Sequence, residues 1–210
     1  MDIIILTKSC KNNNYCVAGI NEKQELVRLG IDNKAEIPSD IFKYNNGKNI
    51  CIGDMININE FENSPLENQP ENIIIDIDKI KFIRQIEDKE LLKILERRCN
   101  KNRYIFFNDK EYIEKEEIKQ NVNVYSLDIV MVNDINIYIK ESYGKRKSKA
   151  DFYYNDIIYR EFSITDSDYF NYNKKRFSDG KFYLVVSLAD KLIQGKYYKF
   201  IAKIFKFDNK

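Results

Sequence analysis

The chain of 210 residues contains no histidine and no tryptophan. Without imidazole, a nucleophilic or hydrolytic centre has to draw its base from lysine, a carboxylate or a thiolate. Nothing in the sequence sets Cys10 or Cys16 beside such a group. The four cysteines, Cys10, Cys16, Cys51 and Cys99, follow no CxxC or CxxxxH spacing, which argues against a structural zinc. Seven scattered glycines build neither GxGxxG nor GxxxxGK[ST], so no phosphate-cradling loop for nucleotide hydrolysis is expected. No catalytic residue, metal or cofactor is predicted.

Long apolar runs are also missing. The opening MDIIILTKSCK holds four consecutive apolar residues after an acid, too few for a signal segment, and no later run approaches the ~20 residues of a membrane span. The expectation is a cytoplasmic protein with reduced thiols and no membrane association. A chain of this length buries a core as one large domain or two small ones.

A strong net charge is absent as well, with 35 Lys and Arg against 33 Asp and Glu. The distribution is uneven: residues 1–120 hold 19 cations and 22 acids, residues 121–210 hold 16 and 11. The positive field therefore belongs to the C-terminal half.

What is present is mostly strand. DIIILT (2–7), YCVAGI (15–20) and ELVRLGI (25–31) are short β-branched runs, with NEKQ as a hairpin turn between the last two. Residues 32–49 read as a long loop, CIGDMININEF (51–61) and NIIIDIDKIKFI (72–83) as further strands. Between 85 and 100 the period changes, and Leu91, Leu92, Leu95 and Cys99 fall on one helical face. NDKEYIEKEEIKQN (108–121) reads as an exposed charged linker with some helical character. Strands resume with YSLDIVMV (125–132), INIYIK (135–140), DFYY (151–154), IIYREFSI (157–164), FYLVVSL (182–188) and YYKFIAKIFKF (197–207), with a tight turn at Asn155-Asp156. Such spacing, twice over, predicts a mainly β chain of two small barrels. The first spans 1–83, a helix and linker 84–121, and the second 122–210.

The chemistry-bearing stretch is YGKRKSKADFYYNDIIY (143–159), a run of cations feeding an aromatic strand. Single-strand sites combine cations along a phosphate track with aromatic faces for stacking. Lys145, Arg146, Lys147 and Lys149, in a loop, supply the first; Tyr153 or Tyr154, whichever faces outward, supplies the second. NYNKKRF (171–177) repeats the recipe in another loop with Lys174, Lys175 and Arg176. In the first half Lys8, Ser9 and Lys11 sit after strand one, where a polar loop meets phosphate. Acid pairs read as structural: Asp76 and Asp78 as the solvent face of a strand, Asp166 as a strand end or helix cap.

IIILTKSCK, CVAGI, LVRLG, QPEN, SLDIVMV, KRKSKADFYYNDIIYREFSITDSDY, YLVVSLAD and YYKFIAKI follow in an order that resembles the bacterial dual OB-containing domain family over nearly the whole chain. The resemblance implies two tandem OB barrels and a nucleic-acid-associated role near prokaryotic defence or DNA-processing genes. It implies no enzymatic activity. Where relatives carry an aromatic before the arginine of LVRLG, this chain has Val27, which puts stacking there in doubt and leaves Arg28 as a candidate contact. The expected function is non-catalytic binding of single-stranded or distorted nucleic acid. The alternatives are an adaptor for a protein partner and a small-molecule or nucleotide sensor.

Overall fold

The computed structural model describes residues 1–11, 14–32, 36–142, 144–170, 175–177 and 180–207. In the N-terminal half, β1 (Asp2–Lys11), β2 (Asn14–Asn21) and β3 (Leu26–Gly30) form an antiparallel meander. The two-residue β4 (Ile37–Pro38) pairs with β2. β5 (Asp54–Asn57) and β6 (Phe61–Asn63) make one bent strand, and β7 (Asn72–Ile75) and β8 (Lys81–Gln85) another. Pairing runs from β1 through β2 and β3 to β7, which lies parallel to β3, and returns through β8 and β5 to β1. The sheet therefore closes on itself.

The expected single strand over 72–83 is broken by a 3₁₀ turn at Ile77–Lys79, whose cap, Asp76, accepts the Asp78 N–H at 3.1 Å. Asp76 and Asp78 thus belong to a turn, which bends the strand so that it can pair with both β6 and β5.

The C-terminal half repeats the plan. β10 (Leu127–Val132) and β11 (Ile135–Ser142) run on as one long strand, followed by β12 (Lys145–Tyr154), β13 (Ile157–Ile164), β14 (Lys175–Phe177), β15 (Phe182–Leu188) and β16 (Lys196–Lys206). β11, β12 and β13 are joined antiparallel, β13 lies parallel to β16, and β16, β15 and β10 close the circuit. Both halves have the strand order 1-2-3-5-4-1 with a parallel third and fifth strand, the OB arrangement that the resemblance implies. Asn155 and Asp156 take φ of 49° and 63°, the double positive φ of the tight hairpin turn.

The helical character expected within 108–121 is present, but the segment is not a free linker. The second barrel recruits β9 (Tyr112–Glu114), which pairs with β16, and α2 (Lys115–Gln120) beside it. Ile105, Phe106, Ile113 and Ile118 are buried in the barrel core. The Glu and Lys of this segment sit on the outward face of a plug whose apolar residues supply the driving force. The first barrel likewise extends past residue 83, since β8 runs to Gln85.

The two barrels are not separate. In the first, Ile3, Ile5, Val17, Val27 and Leu29 point inward, while Ile4, Leu6, Ala18, Ile20 and Leu26 point outward and are buried too. They pack against Leu127, Ile129, Tyr183, Val185 and Phe205 of the second barrel. The helix α1 (Asp88–Arg98) adds Leu91, Ile94 and Leu95 to the same cluster. Each such side chain contributes roughly 1.5–3 kcal/mol when fully buried. Close approach inside the first barrel demands Gly19, where a Cβ would meet the Ile4 carbonyl oxygen at 2.5 Å as well as the Ile3 side chain.

Beside this junction Asp128 is 2% exposed. It accepts the Ile129 N–H at 3.0 Å and the Asn100 side-chain amide at 2.5 Å. Burial pushes its carboxyl up to about 7 from 3.8. The folded protein therefore holds a proton that the unfolded chain loses near pH 4, and the associated stability is complete below that pH and lost as pH rises through about 7. The melting temperature should fall between pH 5 and pH 8, and Asp128→Asn should remove most of that fall. The same decline in the variant would assign it to another group.

Candidate nucleic-acid interface

The outward faces of the second and third strands differ between the barrels. In the first barrel, Ala18, Ile20 and Leu26 on that face are covered by the second barrel and α1. In the second barrel, the face formed by β11, β12 and β13 is open.

KRKSK lies on β12, not in a loop. The strand alternates: Ser148, Ala150, Phe152 and Tyr154 are buried, whereas Lys145, Lys147 and Tyr153 are exposed. Charged residues extend this strand because it forms a hairpin arm with β11, where Lys147 pairs with Lys140 and Arg146 with Glu141 beyond the core. Tyr153 is 57% exposed, while Tyr154 is 5% exposed and its hydroxyl donates to the Asn102 carbonyl at 2.8 Å. The outward aromatic is therefore Tyr153, and Tyr154 belongs to the core.

Between β12 and β13 the register shifts, so that Arg160 and Glu161 together oppose Asp151. Glu161 takes φ of 57°. A bulge of this kind re-aims side chains, and here Arg160 and Glu161 are both exposed. Asp151 receives the Tyr138 hydroxyl at 3.0 Å and the Glu161 N–H at 2.8 Å. Burial and this bond both push the Tyr138 hydroxyl pKa upward. Asn136, Asp151, Tyr153, Ile158 and Arg160 border an open cleft of about 580 Å³.

The cations of this region divide into two groups. Arg146 lies 3.6 Å from Glu141, and Lys140 pairs with Glu161 at 2.5 Å. Lys149 is half-buried and donates to the Glu161 carbonyl at 2.7 Å and the Ser163 hydroxyl at 3.0 Å. Burial lowers its pKa. Lys145, Lys147 and Arg160 have no carboxylate within ion-pair distance among the described residues, and they carry the positive field of this face.

Lys174 lies outside the described residues. Lys175 and Arg176 belong to β14, which pairs with β11 through Asn136 and Ile137, so these two residues lie on a strand and not in a loop. It lies at the edge of the same sheet.

The first-half candidates are corrected. Lys8, Ser9 and Lys11 are part of β1, which is longer than expected because it pairs with β2 to its end. Lys8 donates to the Ile50 carbonyl at 3.0 Å and lies over the Tyr15 ring at 4.8 Å. Ser9 is buried, with its hydroxyl 3.4 Å from the Cys16 carbonyl. Arg28 is 4% exposed and reaches across the junction, donating to the Ser126 hydroxyl at 2.8 Å and the Ser187 hydroxyl at 3.2 Å, 3.6 Å from Glu71. It clamps the barrels together and is not an open-face contact.

Asp166, the most buried acid of the TDSD cluster, is 3% exposed and acts as the expected cap, accepting the Asp168 and Ile204 N–H groups and pairing with Lys203. Among the described residues no group of three or more Cys, Asp or Glu is placed to hold a metal ion. No described helix is long and apolar enough to cross a membrane. The comparisons agree with the topology: the chain matches the dual OB-containing domain over residues 1–204 and belongs to that family. No curated protein and no solved structure matches it.

Three substitutions separate structure from surface. Tyr154→Ala should destabilise the fold by about 3–5 kcal/mol, the range for a large buried ring, whereas Tyr153→Ala should stay within about 0.5 kcal/mol. Arg28→Ala should cost at least about 1–3 kcal/mol, since it leaves the buried Ser126 and Ser187 hydroxyls without their donor and removes the cation beside the half-buried Glu71. Denaturant titrations of the three variants check this, and equal losses for Tyr153 and Tyr154 would refute the assigned facing.

Proposed function

We propose that the protein binds single-stranded or distorted nucleic acid on the open face of its second barrel, without chemistry of its own. OB folds commonly bind nucleic acids, through the face of the second and third strands and the adjoining loops. The observation that carries the reading is the exposed Tyr153 ring on the same outward face as Lys147 and the bulge-presented Arg160. A ring in that position stacks on any base, and the two cations track the flanking phosphates. Three acids lie at this face: Asp151 and Glu161 are engaged with Tyr138 and Lys140, and Asp134 lines the cleft beside Arg160. The tandem barrels then act as one rigid reader, with the first supporting the second.

Fluorescence anisotropy with labelled single-stranded DNA, RNA and duplex at two salt concentrations tests the proposal. Lys145→Glu, Lys147→Glu and Arg160→Glu combined should weaken binding to every sequence and flatten the salt dependence by about 0.7 for each phosphate no longer engaged. Tyr153→Ala should cost about 1–3 kcal/mol of affinity and leave the salt slope unchanged. Unaltered binding in both variants would overturn the assignment of this face and favour a protein-binding role for it.

Absence of chemistry is tested separately. Nucleic acid incubated with the protein and magnesium or manganese should remain intact, and cleavage abolished by Asp166→Ala would make the protein a nuclease.

A further inference from the structure

The cleft beside Tyr153 carries acids as well as cations, a mixture that a phosphate track does not call for. Asn136 of β11 pairs with Asp151 of β12, and Asp151 is opposed in turn by Arg160 and Glu161 at the bulge of β13. Side chains directly opposite one another share a face of the sheet. An amide, a carboxylate and a guanidinium therefore follow one another across the open side, and all three border the cleft of about 580 Å³. Tyr153 opposes Ile158 in the next outward-facing row, two residues or roughly 7 Å from Asp151 along the strand. An aromatic ring and an apolar side chain thus flank a polar row.

The carboxylate is held in one orientation. Its Oδ1 accepts both the Tyr138 hydroxyl at 3.0 Å and the Glu161 N–H at 2.8 Å. Its Oδ2 has no hydrogen-bond donor among the described residues and is not sealed in the interior. The same holds for the Asn136 side-chain amide. Asp134 lines the cleft as a second carboxylate. Carboxylates accept N–H donors and repel phosphate, so the group suited to this cleft is the edge of a base.

Guanine matches the row in its order. Around its edge run the 2-amino group, the N1–H, and then the O6 and N7 acceptors, and across the sheet run Asn136, Asp151 and Arg160. Arginine on O6 and N7 is the commonest specific guanine contact, and the Asp151 and Asn136 side-chain oxygens accept the two donors. Cytosine and adenine offer one amino group and thymine one ring N–H, so each fills fewer positions. We propose that the cleft reads one guanine, stacked on Tyr153, with Asp151 as the residue that sets the preference. This rests on the nucleic-acid reading of the face for the source of the base. Lys145 and Lys147 stay with the phosphates, and the five N–H donors of a guanidinium let Arg160 hold a base edge and a flanking phosphate together.

Anisotropy is measured on the full chain with labelled thymidine 9-mers whose central base is guanine, hypoxanthine, 7-deazaguanine, adenine, cytosine or thymine. The backbone is common to all, so affinity ratios isolate the base. The guanine strand should bind about tenfold tighter than the all-thymine strand, near the low end of what a bidentate base contact discriminates. Hypoxanthine, without the 2-amino group, and 7-deazaguanine, without N7, should each lose part of that advantage. Asp151→Asn keeps an oxygen for Tyr138 and Glu161 and puts an amino donor where Oδ2 stood. It should retain the melting temperature and bring the guanine-to-thymine ratio close to one. The analogue series uses the unaltered chain and decides the matter even if that variant fails to fold. Equal binding of all six strands, or a preference for another base, overturns the guanine assignment and leaves the surface reading standing. A guanine preference that survives in folded Asp151→Asn overturns the role of Asp151. If no strand binds, the surface reading fails, and calorimetry with guanosine and thymidine monophosphates decides the cleft: binding of the first alone makes it a guanine site for free nucleotides, and binding of neither overturns it.

Discussion

The packing of one barrel's outer wall on the other's is the constraint on which the remaining organisation depends. Ile4, Leu6, Ala18, Ile20 and Leu26 leave the first barrel and meet Leu127, Ile129, Tyr183, Val185 and Phe205 of the second. A barrel wall that is apolar on both sides cannot stand in water, and burying it removes the penalty. Once this wall is covered, the first barrel has no open face on its second and third strands. The corresponding strands of the second barrel alternate between buried and exposed residues, and that face stays open.

Polar groups then fix the geometry that the apolar contact alone would leave loose. Arg28 bridges to Ser126 and Ser187, while the Asn68 and Gln69 side chains donate to the Ala189 and Leu188 carbonyls at 2.7 and 2.9 Å. The Tyr183 hydroxyl ties the same sheet to Glu96 of α1 at 3.2 Å. Hydrogen bonds of this type set orientation more than they add stability, because each replaces a bond to water. Their placement agrees with the β15–β16 loop lying beside the end of β1.

The open face is electrostatically mixed. The bulge opposite Asp151 turns both Arg160 and Glu161 outward, and Glu161 is then held by Lys140. Local pairing of this kind reduces the effective charge of KRKSK from the four cations in the sequence to the exposed Lys145 and Lys147, with Arg160 added from the neighbouring strand. A phosphate contact needs a cation that is not already engaged. Which cations remain unengaged on this face is therefore decided by register.

Much of the fold was legible in the sequence because its signals are local. Alternation in DFYY and IIYREFSI, the change of period at Leu91–Leu95, and the Asn155-Asp156 turn each depend on neighbours within a few residues. The continuous runs DIIILT and FYLVVSL carried a further message, since a strand apolar at every position is buried on both sides. That signal was present, but its partner could not be named from one strand. Residues 108–121 misled because charge density masks a few apolar anchors, Ile113 and Ile118, whose burial depends on a barrel elsewhere in the chain. The sequence by itself determined the strand-rich halves, the helix, the cationic and aromatic composition of β12, and membership in a two-barrel class. Only the tertiary structure decided that Arg28 is a clamp, that Tyr153 faces water while Tyr154 faces the core, and that Arg160 joins Lys147. These outcomes depend on register, on a one-residue bulge and on contacts between residues more than a hundred positions apart, for which periodicity holds no information.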